Sequence, residues 1–142
     1  MAGRQSVAVF LGASALAAVL SAGREPRSTE TEAAAIERGR YITHDLAMCV
    51  QCHSPRNESG EIRKSEEFRG APIPVLSPFP GKPWAVRAPN LRGLEGFSDG
   101  AILRLLVEGV AHRGAPPQSP MPPFRMTSED AKAVLAYLRS LR

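Results

Sequence analysis

Cysteine is nearly absent from this chain. Only Cys49 and Cys52 occur in 142 residues, and a disulfide between residues three apart would close too small a loop to constrain the fold much. Aromatic residues are also scarce, at 6%. A core made of side chains alone would be thin in large rings, and a bound planar cofactor could supply the missing apolar mass. No convincing strand alternation and no internal repeat is found. No Lys/Arg cluster is interleaved with aromatics, so nucleic acid is not an expected partner. A structural zinc site needs four ligands, usually two Cys or His pairs at matching spacing. Beyond the 49–53 stretch only His44 and His112 remain, unpaired and far apart.

What is present is one domain's worth of chain with a short extension. Apolar residues make up 43%, and 18 Lys+Arg against 14 Asp+Glu give a net charge of +4, or about +3 without Arg4. The N-terminal stretch 1–22 has a positive start at Arg4, an apolar run through Val7, Phe10, Leu11 and Leu20, and the small residues Ser21, Ala22 and Gly23 after it. That order predicts a secretory signal cleaved near 21–23. The alternative is an uncleaved membrane anchor, although the run falls short of the roughly 20 residues a span prefers. Either way the domain is expected outside the cytoplasm. Residues 23–33 are polar and read as a linker, leaving 34–142 as the folded domain.

Within that domain the pattern is all-α, with about three main helices. Residues 30–37 favour helix, and Ile36, Ile42 and Leu46 can share a stripe with Tyr41 beside it, running directly into Cys49. Pro55, Pro72, Pro74, Pro78, Pro80, Pro83 and Pro89 then exclude regular helix and central strand over 54–90. Ser98 and Asp99 can cap a second helix carrying Ile102, Leu105 and Leu106 on one face. A second proline loop, 115–123, leads to the capping sequence Thr127-Ser128-Glu129-Asp130. After it Ala131, Val134, Leu135, Leu138 and Leu141 form an apolar stripe. Arg139 and Arg142 suit the negative end of that last helix.

The chemistry centres on Cys49-Val50-Gln51-Cys52-His53. A thioredoxin-like dithiol would follow a strand, and none is predicted before Cys49. The remaining reading is the Cys-x-x-Cys-His attachment sequence of c-type haem. Each thiol adds across one vinyl group, and His53 is then held beneath the iron as an axial donor. Haem of this type is attached outside the cytoplasm, which agrees with an export signal. For the second axial position His44, His112, Met48, Met121 and Met126 are available. His44 and Met48 lie beside the attachment site, and Met126 adjoins the Thr127 cap and suits core packing. Met121, between Pro120 and Pro122, is held in an extended loop that can cross the other face of the ring. Trp84 can donate its indole N–H to a haem propionate or instead anchor the proline loop. Arg87 can meet a propionate or stay on the surface.

From about 34 to 142 the chain resembles a class I c-type cytochrome, most of all small bacterial monohaem cytochromes and the haem-c domains of dehydrogenase cytochrome subunits. The residues carrying the likeness are Gly39-Arg40-Tyr41, Cys49 to His53, Ala88-Pro89-Asn90-Leu91 with Gly93-Leu94, Met121-Pro122 and Tyr137-Leu138. The resemblance implies the cytochrome c fold around one covalent haem c. It also implies a hydrogen bond from His53 to the carbonyl of Pro89, Leu91 against the ring, Met121 as axial ligand, and a close helix crossing at Gly39. The function implied is one-electron transfer in a respiratory or dehydrogenase-linked chain, in the periplasm or on the outer face of the inner membrane. Expected partners are a donor dehydrogenase or quinol-oxidising complex and an acceptor oxidase or other cytochrome. Alternatives are a fixed haem-c subunit of a membrane oxidoreductase complex, or a ligand-sensing or peroxidase-like haem protein. The insert at 56–87 departs from the family pattern.

Overall fold

The computed structural model describes residues 27–111 and 114–141. The predicted signal or anchor at 1–22 and His112 lie outside the described residues. Four helices carry the fold: α1 (Arg27–Tyr41), α2 (Cys49–His53), α3 (Asp99–Glu108) and α4 (Ser128–Ser140). A two-residue antiparallel pair, β1 (Ala71–Pro72) with β2 (Arg87–Ala88), closes the base of the proline-rich insert. Such a short pairing leaves no alternation to read in the sequence. Among the described residues no helix is long and apolar enough to cross a membrane.

The first helix reaches back to Arg27, into the segment read as a linker. Residues 30–34 are all exposed, so their polarity is that of a solvated helical start, which composition alone does not separate from a loop. The helix also does not run straight into Cys49. Ile42–Leu46 form a π-helical turn closed by Ala47 N–H to the Ile42 carbonyl at 2.8 Å, and Met48 follows at φ 50°. The wider turn shifts the helical phase. Ile42 and Thr43 face the core, while Leu46, expected in the stripe, is 54% exposed. Thr43 satisfies its buried hydroxyl by donating to the carbonyls of Gly39 and Arg40 at 2.9 and 3.0 Å.

The caps of the other helices follow their sequence signals. Ser98 Oγ accepts from Ala101 N–H at the start of α3, and Thr127 Oγ1 accepts from Asp130 N–H at the start of α4. The Asp130 carboxylate receives Arg38 Nε of α1 at 3.0 Å. The core lies between α1, α3 and α4, with Ile42, Ile102, Leu106, Ala131, Val134, Tyr137 and Leu138 buried. At the α1–α4 crossing a Cβ on Gly39 would run into the Ala133 carbonyl and sit 2.7 Å from Tyr137 Cβ.

Gly39→Ala is expected to destabilise the protein by about 3 kcal/mol, at the upper end of overpacking costs, because the obstacle is backbone. Gly100→Ala meets nothing within 4 Å on α3 and is expected to gain up to about 1 kcal/mol. Urea unfolding of the two variants beside the wild type checks both signs.

Candidate functional site

The motif Cys49–His53 is itself one short helix, α2, entered through the left-handed Met48 and left through the extended Ser54. Helical spacing puts Cys49 and Cys52 on neighbouring positions of one face. Both are free, half-buried thiols. Burial pushes the Cys49 thiol up to about 11, the opposite of the lowered value that makes a reactive dithiol. Among the described residues no three His, Cys, Asp or Glu side chains are grouped so as to hold a metal ion.

His53 is buried, and burial lowers its pKa below the ordinary histidine value. It is therefore neutral at pH 7. Its Nδ1–H donates to the Pro89 carbonyl at 2.9 Å, which fixes the tautomer and leaves the Nε2 lone pair free. Nε2 makes no hydrogen bond with the described residues, yet no buried side-chain nitrogen or oxygen there lacks a partner. Nε2 therefore opens onto accessible space. Two thiols one turn apart and a neutral, oriented imidazole nitrogen beside them fit a haem attached through Cys49 and Cys52.

The Pro89 loop is held from several sides. Gly70 N–H donates to the His53 carbonyl at 2.8 Å. Gly70 has φ +78°, and a Cβ there would lie 2.8 Å from the Ala88 carbonyl oxygen, so this position requires glycine. Phe68 N–H donates to Ser54 Oγ at 3.0 Å, and the Phe68 carbonyl accepts from Leu91 N–H at 2.7 Å. Phe68 is fully buried at φ 63°. Left-handed backbone costs about 1–2 kcal/mol, while burying a Phe side chain gains about 2–3 kcal/mol, so burial prevails. The insert at 56–87, which the family pattern leaves unplaced, thus begins as an anchor for the site. Between Arg56 and Gly70 only Ile62 and Phe68 are large apolar residues, and both pack inward. That contrast was the available sequence signal.

Two further residues that the sequence reading assigned elsewhere shape this region. Both ring nitrogens of His44 face oxygen acceptors, Nδ1 the Arg40 carbonyl at 2.9 Å and Nε2 the Glu67 carboxylate at 3.1 Å. Its ring meets Phe68 and Tyr137 edge-on, with centroids 5.3 and 5.7 Å away. His44 is thus a clasp between the π turn, the insert and α4. Arg139 goes beyond the helix end expected for it. It donates to the carbonyls of Gly93, Leu94 and Phe97 at 2.6, 3.0 and 2.7 Å and pairs with Asp99 at 2.6 Å. It ties α4 to the loop that follows Pro89 and to the start of α3.

The remaining candidates are distributed as follows. Leu91 is half-buried against the core, and Met126 packs there too, its N–H donating to the Leu106 carbonyl at 2.9 Å. Met48 is exposed. Met121 is half-buried in a turn closed by its N–H to the Gln118 carbonyl at 3.2 Å. Trp84, read as either a propionate donor or an anchor of the proline loop, gives its indole N–H to the Val75 carbonyl at 3.1 Å, the anchoring arrangement. Its donor is spent within the insert, closing the stretch from Val75 to Trp84. Arg87 is exposed on β2.

Among known proteins, the family model described as Cytochrome c matches residues 36–142. The fructose dehydrogenase cytochrome subunit of Gluconobacter japonicus is 32% identical over 114 residues, covering 73% of this chain and 21% of that protein. A diheme cytochrome c-type protein of Cereibacter sphaeroides is 47% identical over 38 residues, 27% of this chain and 13% of that protein. The chain therefore spans about a fifth or less of the length of these relatives.

Arg139→Met is expected to cost about 2–3 kcal/mol, since each hydrogen bond from a charged donor contributes about 1.5–3 kcal/mol and part of this cluster is solvated. Arg139→Lys should recover less than half, because one ammonium cannot span three carbonyls and a carboxylate. Equilibrium urea unfolding of both variants measures the difference.

Proposed function

The chain belongs to the cytochrome c family, and we propose that it carries single electrons through a haem c ligated by His53 and Met121, working beside a dehydrogenase. Family membership implies a covalent haem c, and Cys49 and Cys52 are spaced to hold it through two thioethers. Bound there, the haem supplies a one-electron ferric/ferrous couple. Everything else is the work of this chain's residues. The observation that carries the proposal is the His53–Pro89 hydrogen bond. It presents Nε2 in one tautomer and raises its basicity as a donor. Phe68, Gly70 and Arg139 keep the Pro89 loop in place, so the donor need not reorient when charge changes.

Met121 is the proposed second ligand. Its turn is ordered by the Gln118 carbonyl, and the neighbouring Ser119 carbonyl accepts Ala85 N–H at 2.7 Å. A thioether is a soft donor that favours ferrous iron and raises the potential. If His53 and Met121 both bound the iron, no site would stay open on it for a small ligand, which would separate a carrier from a sensor or peroxidase. Both ring nitrogens of His44 already face oxygen partners, which favours Met121 over it.

Support for a dehydrogenase partner comes from the 32% likeness to a fructose dehydrogenase cytochrome subunit. This chain would take electrons from such an enzyme, as a subunit or as a mobile acceptor, and hand them to an oxidase or another cytochrome. Its proposed place is the periplasm or the outer face of the inner membrane, from the export pattern of residues 1–22. The mass of the mature chain and its partition between soluble and membrane fractions check this. An intact N-terminus in the cytoplasmic fraction would overturn it.

Met121→Ala in the haem-loaded protein is expected to abolish the ferric methionine–iron charge-transfer band, lower the reduction potential and admit carbon monoxide to the ferrous form. A band that survives the substitution assigns the second ligand elsewhere. Cys49→Ala with Cys52→Ala should reduce haem staining after denaturing electrophoresis to background. Retained staining would sink covalent attachment at these residues.

A further inference from the structure

The second half of the insert, 73–86, has an unusual surface. It is tied internally by Ile73 N–H to the Val86 carbonyl at 3.0 Å, Trp84 Nε1–H to the Val75 carbonyl at 3.1 Å, and Phe79 N–H to Ser77 Oγ at 3.2 Å. Yet this braced loop holds Leu76 at 93% exposure, Val86 at 80%, Phe79 at 62% and Val75 at 50%. A residue lining a pocket is shielded by the pocket's walls. At these exposures Leu76 and Val86 touch almost nothing among the described residues. Fixing several large apolar side chains in water is unfavourable, and such patches mark contact surfaces.

Charge and position say what the contact is. From 68 to 94 the chain carries Arg69, Lys82, Arg87 and Arg92 and no carboxylate. From 109 to 126 it carries Arg113 and Arg125 and again none. All 14 Asp and Glu residues of a chain with net charge +4 fall outside these two segments. The segments are joined by Ala85 N–H to the Ser119 carbonyl, two residues from Met121. An occupant of this patch therefore sits next to the proposed axial loop, and the charged side chains of 68–94 that flank it in sequence are all basic.

We propose that the 73–86 loop is the docking surface for an electron-transfer protein whose own contact is an apolar patch rimmed by carboxylates. The inference rests on the carrier reading. Leu76 and Phe79 supply the apolar contact, and Lys82 and Arg87 steer the encounter. The contact is small and transient, which suits repeated turnover. A lipid surface or a second copy of the chain are different occupants, and the experiment tells them apart.

The test uses the haem-loaded full chain and a flavodoxin, an acidic electron-transfer protein, as probe. One electron passes from the flavin hydroquinone, leaving the semiquinone, to ferric iron, leaving ferrous. Leu76→Ser with Phe79→Ser is expected to slow this reduction about tenfold while reduction by ascorbate, which needs no apolar contact, stays within about twofold. Lys82→Glu with Arg87→Glu should also slow it and turn a rate that falls with salt into one that does not. Independently of turnover, titrating oxidised flavodoxin into the ferrous protein should move amide resonances of 73–86 and 118–121. Unchanged flavodoxin rates in both variants, or shifts confined to α1 and α4, overturn the proposal. So does binding to phosphatidylglycerol vesicles that the Leu76/Phe79 variant loses while flavodoxin rates stay the same. A wild-type dimer in sedimentation velocity that the same variant dissociates also overturns it, in favour of self-association. Wild-type protein that lacks haem stain or resists ascorbate fails the carrier reading itself, a result distinct from any of these.

Discussion

The backbones of α1 and α4 meet at Gly39 with no side chain between them. The rest of the structure depends on that approach. It brings Tyr137 under the end of α1, where His44 and Phe68 pack edge-on against it and against one another. It also sets the angle at which α1 delivers the π turn and then α2. From the other side of the same helix, Arg139 reaches the loop beyond Pro89. The attachment helix and the carbonyl that orients its histidine are thus both referenced to α4. A weaker crossing would let them drift relative to each other even if each stayed folded.

The division of labour within the insert follows from where water is excluded. Its first half ends in Phe68, whose burial offsets an unfavourable backbone and whose amide and carbonyl link Ser54 to Leu91. Its second half has no buried large side chain at all and is ordered by backbone carbonyls, a serine hydroxyl and one indole. The first half stabilises the site. The second is internally hydrogen-bonded yet contributes little to the core, which is consistent with a segment shaped for something outside the molecule.

Much of this was legible in the sequence where a local rule had one strong solution. The caps at Ser98 and Thr127 and the apolar faces of α3 and α4 were of that kind, while the small residue at the helix crossing was implied by the family resemblance. The attachment motif was legible locally as well, because the spacing of its cysteines is set by the chemistry it performs. What was not legible depended on long-range partners. Nothing local distinguishes His44 as a clasp from His44 as a ligand, since its Glu67 partner lies in the insert. Arg139 looked like a helix-end charge because its carbonyl partners sit more than forty residues earlier in the chain. Trp84 left two readings open for the same reason, its acceptor being a backbone atom inside the insert. The start of α1 was hidden because a solvated helix and a linker share a composition.

The π turn at Ile42–Leu46 has a consequence beyond the exposure of Leu46. Each residue added to or removed from an α-helix rotates everything after it by about 100°. The widened turn and the left-handed Met48 together set the rotation between the crossing at Gly39 and the thiols of α2. The number of residues from Gly39 to Cys49 therefore acts as a phase rather than a length. A one-residue deletion there would shorten the chain trivially, but it would turn the face bearing Cys49 and Cys52 away from the carbonyl that waits for His53. A solvent-facing side chain such as Leu46 can change here without turning that face, whereas the residue count cannot.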